Sequence, residues 1–103
     1  MEIFIDKKVQ NYYLQHNYKG IVLKKEIQSF GWAGCRDIIQ GEFVKNSDLL
    51  KENKIKYEEK DIEGIKVFIP KYLNLNNIKE IRITRLFSVF SKVMLLNIEL
   101  SQI

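Results

Sequence analysis

The chain has 103 residues, 46% of them apolar and 29% charged, a balance typical of a globular domain and not of a disordered chain. A single cysteine excludes an internal disulfide framework, and no apolar run approaches the roughly 20 residues of a membrane span. The net charge of +4 comes mainly from lysines that are scattered among acids. We therefore predict one domain over residues 1–103, in the cytoplasm, where thiols stay reduced; we expect no membrane partner, and a nucleic-acid partner is the least favoured alternative.

The first elements are a short strand and a helix. Residues 2–5 are apolar and predict a strand, and Asp6 is placed to cap a helix through its carboxylate. The spacing i, i+3, i+4, i+7 then puts four residues on one helical face: Val9, Tyr12, Tyr13 and His16. Because Asn17 to Gly20 supply a stop signal, we predict the helix over 7–17.

The rest of the chain predicts mostly strands. Period-2 or β-branched runs occupy 21–27, 37–45, 56–61, 65–69, 78–87 and the segment around 94–100. Between them, Ser47 or Asp48 would open a helical turn, and Glu63-Gly64 forms a turn. The alternation predicts seven residues that point into the core: Ile65, Val67, Ile69, Met94, Leu96, Ile98 and Leu100. The fold class is thus mostly β (α+β), with about six strands and one main helix in a mixed or antiparallel sheet.

One loop contains the residue with obvious chemical potential. Residues 29–35 include Gly31 and Gly34 and predict a tight loop that ends in Cys35. A thiolate is both a nucleophile and a metal ligand, and the adjacent Arg36 would favour the thiolate form. The competing interpretation is that Cys35 is a small, half-buried apolar residue. Trp32 would either shield Cys35 or anchor the loop on the core, and we expect the anchoring role.

Little else in the chain points to catalysis. His16 is the single histidine, and a Cys–His pair is conceivable, but its place on the helical stripe favours packing. The acids Glu58, Glu59 and Asp61 lie in a run with Lys56 and Lys60 and predict a solvated strand edge. No phosphate-binding glycine motif, serine nucleophile elbow or CxxC pair is present. We therefore do not expect an enzyme.

The order of these segments resembles a known family. A strand and a helix precede Gly20-Ile21-Val22-Leu23, a loop then holds Gly34-Cys35, and the run Glu63 to Ile69 leads to Tyr72-Leu73 and two final strands. This order resembles the HesB/IscA-like iron–sulfur biogenesis proteins. It is most similar to the small HesB-like branch whose members carry a Cys-Cys or Cys-selenocysteine pair after a glycine.

The resemblance implies a compact β-rich domain in which Cys35 is the metal-binding position. It also implies iron or an iron–sulfur cluster as the cofactor, weakly bound, and a homodimer or another protein as partner. Two parts of the family pattern are missing, because Arg36 replaces the second cysteine of the pair and the C-terminal Cys-Gly-Cys is absent. A cluster typically needs four thiolates.

Three functions remain open at this point. The first is a HesB-like accessory protein that acts in iron–sulfur or thiol chemistry through Cys35. The second, nearly level with it, is a degenerate family member that serves as a non-catalytic interaction module. The third, ranked last, is a nucleic-acid binder that uses the positive charge.

Overall fold

The structure, a computed structural model, describes residues 1–29, 31–45, 56–86 and 95–102. These ranges contain seven strands, one α-helix and one turn of 3₁₀ helix, so the predicted β-rich fold class is confirmed. In chain order they are β1 (Glu2–Ile5), α1 (Lys7–Gln15), β2 (Gly20–Ser29), the 3₁₀ turn (Gly31–Ala33), β3 (Cys35–Val44), β4 (Tyr57–Ile62), β5 (Ile65–Pro70), β6 (Ile78–Leu86) and β7 (Leu95–Gln102). The predicted turn at Ser47 or Asp48 lies outside the described residues.

The strands form two mixed sheets. The first has the order β1-β6-β7, with β1 parallel and β7 antiparallel to β6. The second has the order β3-β2-β5-β4, in which β2 and β3 form a long antiparallel hairpin and β2 runs parallel to β5. The two sheets meet where β3 packs on β7, and α1 contacts β6.

Helix α1 begins at the predicted residue, Lys7, but its start is fixed by a different interaction from the one predicted. Asp6 occupies the N-cap position, but its carboxylate makes no capping hydrogen bond, so that part of the prediction is wrong. The Asp6 backbone N–H instead donates to the Ile83 carbonyl oxygen at 2.9 Å, and the Gln10 side chain donates to the Ile5 carbonyl oxygen at 2.8 Å. The start of the helix is therefore held by the neighbouring sheet.

The helix ends two residues earlier than predicted. Asn17 has a φ of +55°, a left-handed conformation that Asn tolerates better than most residues. The Tyr18 N–H then donates to the Tyr13 carbonyl oxygen, and the Asn17 N–H to that of Leu14, which is the Schellman pattern. This turn redirects the chain and places Tyr18 beside the last turn of the helix.

The core lies between α1 and the two sheets. Val9 and Tyr13 are the buried members of the helical stripe, whereas Tyr12 is half-buried and His16 is exposed. Each sheet and the helix contribute to the buried cluster, which comprises Ile5, Val9, Tyr13, Ile21, Leu23, Ile65, Val67, Ile69, Ile81 and Ile83. The predicted burial of Ile65, Val67 and Ile69 is confirmed.

Strand β7 is less buried than its alternation predicts. Leu96 and Ile98 are half-buried against the core, but Leu100 is 38% exposed, so its predicted core position is wrong. Gly41 explains the difference: a Cβ atom there would lie 2.9 Å from the Ile98 Cδ1 atom, so its lack of a side chain lets β7 approach β3. Leu100 lies two residues beyond this contact. Met94 lies outside the described residues.

The β4–β5 turn is confirmed. Ile62 pairs with Ile65, which leaves a two-residue loop, and both of its residues have positive φ (Glu63 +53°, Gly64 +86°). This is the geometry of a type I′ turn. The Asp61 carboxylate accepts a hydrogen bond from the Gly64 N–H at 2.9 Å. Among the described residues, no helix is long and apolar enough to cross a membrane.

Candidate functional site

The outer half of the β2–β3 hairpin extends beyond the core. Along one row of β2, Ile21 and Leu23 are buried, but Lys25, Ile27 and Ser29 are exposed, with Ile27 at 71%. Among the described strands, β2 pairs with β5 only at Ile21 and Val22, whereas its pairing with β3 continues to Ser29. The hairpin therefore carries its tip away from the body of the protein.

The tip of the hairpin is closed by a compact turn. Ser29 pairs with Cys35, and the 3₁₀ turn Gly31–Ala33 lies between them. The Gly31 N–H donates to the Ser29 Oγ atom and the Gly34 N–H donates to the Gly31 carbonyl oxygen, both at 3.3 Å. Gly31 (φ +65°) and Gly34 (φ +102°) both adopt conformations that other residues rarely take. The two predicted glycines thus have a structural role in shaping this turn.

Cys35 lies at the boundary between turn and strand. The prediction put Cys35 in the loop and started the next strand at 37, but β3 begins at Cys35 itself. Its backbone is therefore held in the hairpin ladder opposite Ser29. The side chains of Cys35 and Arg36 lie outside the described part of the structure, so the expected thiolate interaction between them stays a prediction.

Trp32 does not pack on the core. Its side chain is 100% exposed, so the expectation that it anchors the loop is wrong, and a fully exposed ring does not shield a neighbour. The physical reason is the length of the hairpin, which places the turn beyond the reach of the buried residues. An aromatic ring in full contact with water is unusual, because such a ring normally buries 150–250 Å². The exposed ring of Trp32 therefore makes the hairpin tip a candidate interaction surface.

His16 lies at the other end of the hairpin. Its ring centroid is 4.0 Å from that of Tyr12 and 5.9 Å from that of Tyr18, and its Nδ1 atom is 3.0 Å from the Tyr12 carbonyl oxygen. Tyr18 in turn stacks on Phe43, near the base of β3, with ring centroids 4.5 Å apart. Since Phe43 is eight residues from Cys35 along an extended strand, roughly 26 Å, the structure does not bring Cys35 and His16 together.

The aromatic rings at the base border a cleft that sequence reasoning missed. Its volume is about 420 Å³, within the range of ligand and side-chain binding sites. It is lined by Tyr18, Gly41, Glu42, Phe43, Lys45, Leu95 and Leu96. We call it the base cleft. In the sequence, the signal for this cleft is Tyr18, which follows the helix stop at Asn17. That signal does not reveal the cleft, because the strands that complete it come from distant parts of the chain.

The environment of the base cleft perturbs one tyrosine. Burial raises the pKa of Tyr18, and its hydrogen bond with Tyr12 raises that pKa further. The Lys45 Nζ atom lies 5.6 Å from the centre of the Tyr18 ring, within cation–π distance. The cleft thus combines apolar rings and leucines with the ammonium group of Lys45 and the carboxylate of Glu42, which is paired with Lys24.

The charged residues of the second sheet form surface ion pairs. Lys24 contacts Glu42 at 2.7 Å and Glu26 at 3.5 Å, and the hydrogen bond with Glu42 raises the pKa of Lys24. On β4, Glu58 pairs with Lys60 at 2.9 Å, an interaction that lowers the Glu58 pKa. Glu59 pairs with Lys66 of β5 at 3.4 Å. The predicted solvated character of the acidic run is confirmed.

The described residues do not provide a complete metal site. In the part of the chain that the structure describes, no three His, Cys, Asp or Glu residues come together in a metal-binding group. The whole sequence has one cysteine, whereas an iron–sulfur cluster is typically held by four thiolates. A resident cluster therefore does not fit a single copy of this chain.

Comparison with known proteins supports the fold. No protein-family model matches the chain, and no curated protein matches it. Among solved structures it is similar to SufA of Escherichia coli, a protein involved in the biosynthesis of iron–sulfur clusters. The TM-score is 0.53 at 12% sequence identity, over 95% of this chain and 79% of SufA. The resemblance to HesB/IscA-like proteins is thus confirmed for the fold, and for the fold alone.

Proposed function

We propose that this protein is an accessory protein of iron–sulfur or thiol chemistry and that it acts through Cys35. The observation that carries the proposal is the position of Cys35: the one cysteine of a SufA-like fold lies at the tip of a hairpin that extends beyond the core. A hairpin tip is well placed to bring one thiol to a second molecule.

The ligand count limits what Cys35 does. A thiolate is the form that binds iron, and one cysteine supplies one of the four thiolates of a typical cluster. In this proposal, iron or a cluster is cargo that Cys35 shares with thiols of a partner protein or a small thiol compound. Cys35 then exchanges as one ligand, and the protein is not an enzyme. Free thiols of this kind belong in a reducing compartment, for which the cytoplasm is our proposal.

A second candidate function is a protein-interaction module that has lost the chemistry of the fold. The observation in its favour is Trp32, whose complete exposure resembles that of an interface residue before its partner binds. In this alternative, Cys35 is only the first residue of strand β3, and its thiol has no role. The two candidates differ in whether the Cys35 thiol is needed.

The test is anaerobic incubation with iron, sulfide and glutathione, followed by desalting and analysis of bound iron and sulfide. Cys35→Ser removes the thiol with little change in volume. The matched control is the double variant Cys35→Ser/Ser101→Cys, which keeps one cysteine but moves it to an exposed position on β7.

We expect the wild-type protein to retain iron and sulfide and both variants to retain several-fold less. If the wild type and Cys35→Ser retain equal amounts, Cys35 does not bind the cargo and the interaction module becomes the better description. If the Ser101→Cys variant equals the wild type, any surface thiol suffices and the hairpin tip has no special role.

A further inference from the structure

Two unsatisfied features lie at opposite ends of the β2–β3 hairpin. The tip carries the fully exposed ring of Trp32, and the base carries the base cleft beside Phe43. The two features are complementary, because Trp32 is a ring that fills no pocket and the base cleft is a ring-lined pocket with space for a side chain. Their relationship does not depend on Cys35 or on iron.

A single copy cannot join these features. The β2–β3 ladder is continuous from the pair Gly20–Val44 at the base to the pair Ser29–Cys35 at the tip. Nine steps of extended strand separate the two pairs, roughly 30 Å at about 3.3 Å per residue. Because the ladder has no break at which the hairpin would fold back, Trp32 stays far from the cleft of its own chain.

We propose that two copies of this chain associate through their hairpins, with Trp32 of each copy bound in the base cleft of the other. Two hairpins placed side by side in opposite directions bring each tip to the other's base. Both contacts are then equivalent, as a two-fold symmetric interface requires. The occupant of the cleft is thus a second copy of this chain.

The chemistry of the cleft suits an indole ring. Tyr18 and Phe43 offer ring surfaces, Leu95 and Leu96 offer apolar ones, and the volume of about 420 Å³ accommodates a tryptophan side chain. Lys45 already lies over the Tyr18 ring, and among aromatic side chains tryptophan is the best partner for a cation. The tip residues Gly31 to Gly34 are uncharged, so docking buries no charge from the tip.

The contact area indicates a reversible dimer. Each tryptophan would bury about 150–250 Å² and would cover a similar area of the cleft. The two contacts together come to roughly 1,000 Å² or less, the low end for specific interfaces. We therefore expect a dimer that forms with increasing concentration and dissociates on dilution.

Trp32 is the one tryptophan in the sequence, so intrinsic fluorescence reports on this ring alone. The experiment measures tryptophan emission and molecular mass by sedimentation across a concentration series of the full chain. We expect the emission to move to shorter wavelength over the same concentrations at which the mass doubles. A chain that stays monomeric, or an emission shift that does not depend on concentration, overturns the proposal.

Two variants test the contact from each side. Trp32→Ala removes a side chain that is fully exposed, so the variant folds, and we expect it to remain monomeric where the wild type dimerises. Leu95→Lys places a charge in the cleft at a position already 43% exposed, and Leu14→Lys, at 64% exposed on α1, is its control. We expect at least a tenfold weaker dimer for Leu95→Lys and no change for Leu14→Lys. Wild-type dimerisation of Trp32→Ala overturns the proposal, as does an equal loss in the two lysine variants.

Discussion

Ser29 and Cys35 are the last antiparallel pair of the β2–β3 hairpin, and the 3₁₀ turn Gly31–Ala33 connects them. Directly opposed residues of an antiparallel pair have Cα atoms about 4.5–5.5 Å apart, and a disulfide usually needs about 4.4–6.8 Å. The pairing therefore predicts that a cysteine at position 29 can be crosslinked to Cys35.

We expect Ser29→Cys to form an intramolecular disulfide with Cys35 under mild oxidation. The measurement is the loss of both thiols in a titration with a thiol reagent, with no gain in molecular mass. Ile27→Cys is the matched control, since Ile27 pairs with Asp37, and we expect its two thiols to stay free. Equal oxidation of the two variants would show that the register at the tip differs.

Burial along β6 and β7 predicts unequal effects of two alanine substitutions. Ile83 is fully buried and pairs with Ile98, so Ile83→Ala should lower the free energy of unfolding by about 2–5 kcal/mol. Leu100 is 38% exposed, so Leu100→Ala should cost less than about 1 kcal/mol. Urea unfolding measures both. Similar losses would show that Leu100 is packed in the core as closely as Ile83, which would contradict its exposure in the structure.

Alkaline pH should weaken the fold. Burial raises the pKa of Tyr13, which a hydrogen bond with the Lys66 backbone only partly offsets, and the pKa values of Tyr18 and Lys24 are raised as well. A raised folded-state pKa gives stability that is complete below the unfolded value, about 10 for Tyr and Lys, and is lost as pH rises through the folded value.

We therefore expect the free energy of unfolding to fall above about pH 10, and to fall less steeply in Tyr13→Phe. Urea unfolding at several pH values from about 8 to about 11 measures this slope. Tyr72→Phe is the control, because Tyr72 is 67% exposed, and it should keep the wild-type slope. A wild-type slope in Tyr13→Phe would show that ionisation of this buried tyrosine does not limit stability.

The local elements were predictable because their signals are local. Alternation predicts strand β5, the Glu63-Gly64 dipeptide predicts the turn before it, and the helical stripe predicts α1. The helix ends at Gln15 and not at the predicted residue 17, because Asn17 adopts a left-handed conformation. Asn is one of the few residues that tolerate this conformation, and the helical stripe does not reveal it. Asp6 was predicted to cap through its carboxylate, but the nearby Ile83 carbonyl oxygen, supplied by a distant strand, fixes its backbone instead.

What the sequence could not predict depends on contacts between distant segments. The division into two sheets, the parallel pairing of β1 with β6, and the base cleft each join residues far apart in the chain. Trp32 was misplaced for a related reason, since a large aromatic residue is normally buried and only the length of the hairpin shows otherwise. Leu100 has the right alternation but lies beyond the contact that Gly41 permits.

The most direct test of the function that we propose for Cys35 is the rate of its alkylation in the folded protein, compared with the denatured chain. The rates are measured from about pH 6 to about pH 9, a range that includes the ordinary thiol pKa of about 8.5. We expect the folded protein to react faster at the acidic end, because we predict that the adjacent Arg36 favours the thiolate form of Cys35. A folded protein that reacts no faster than the denatured chain at any of these pH values would contradict a functional role for Cys35.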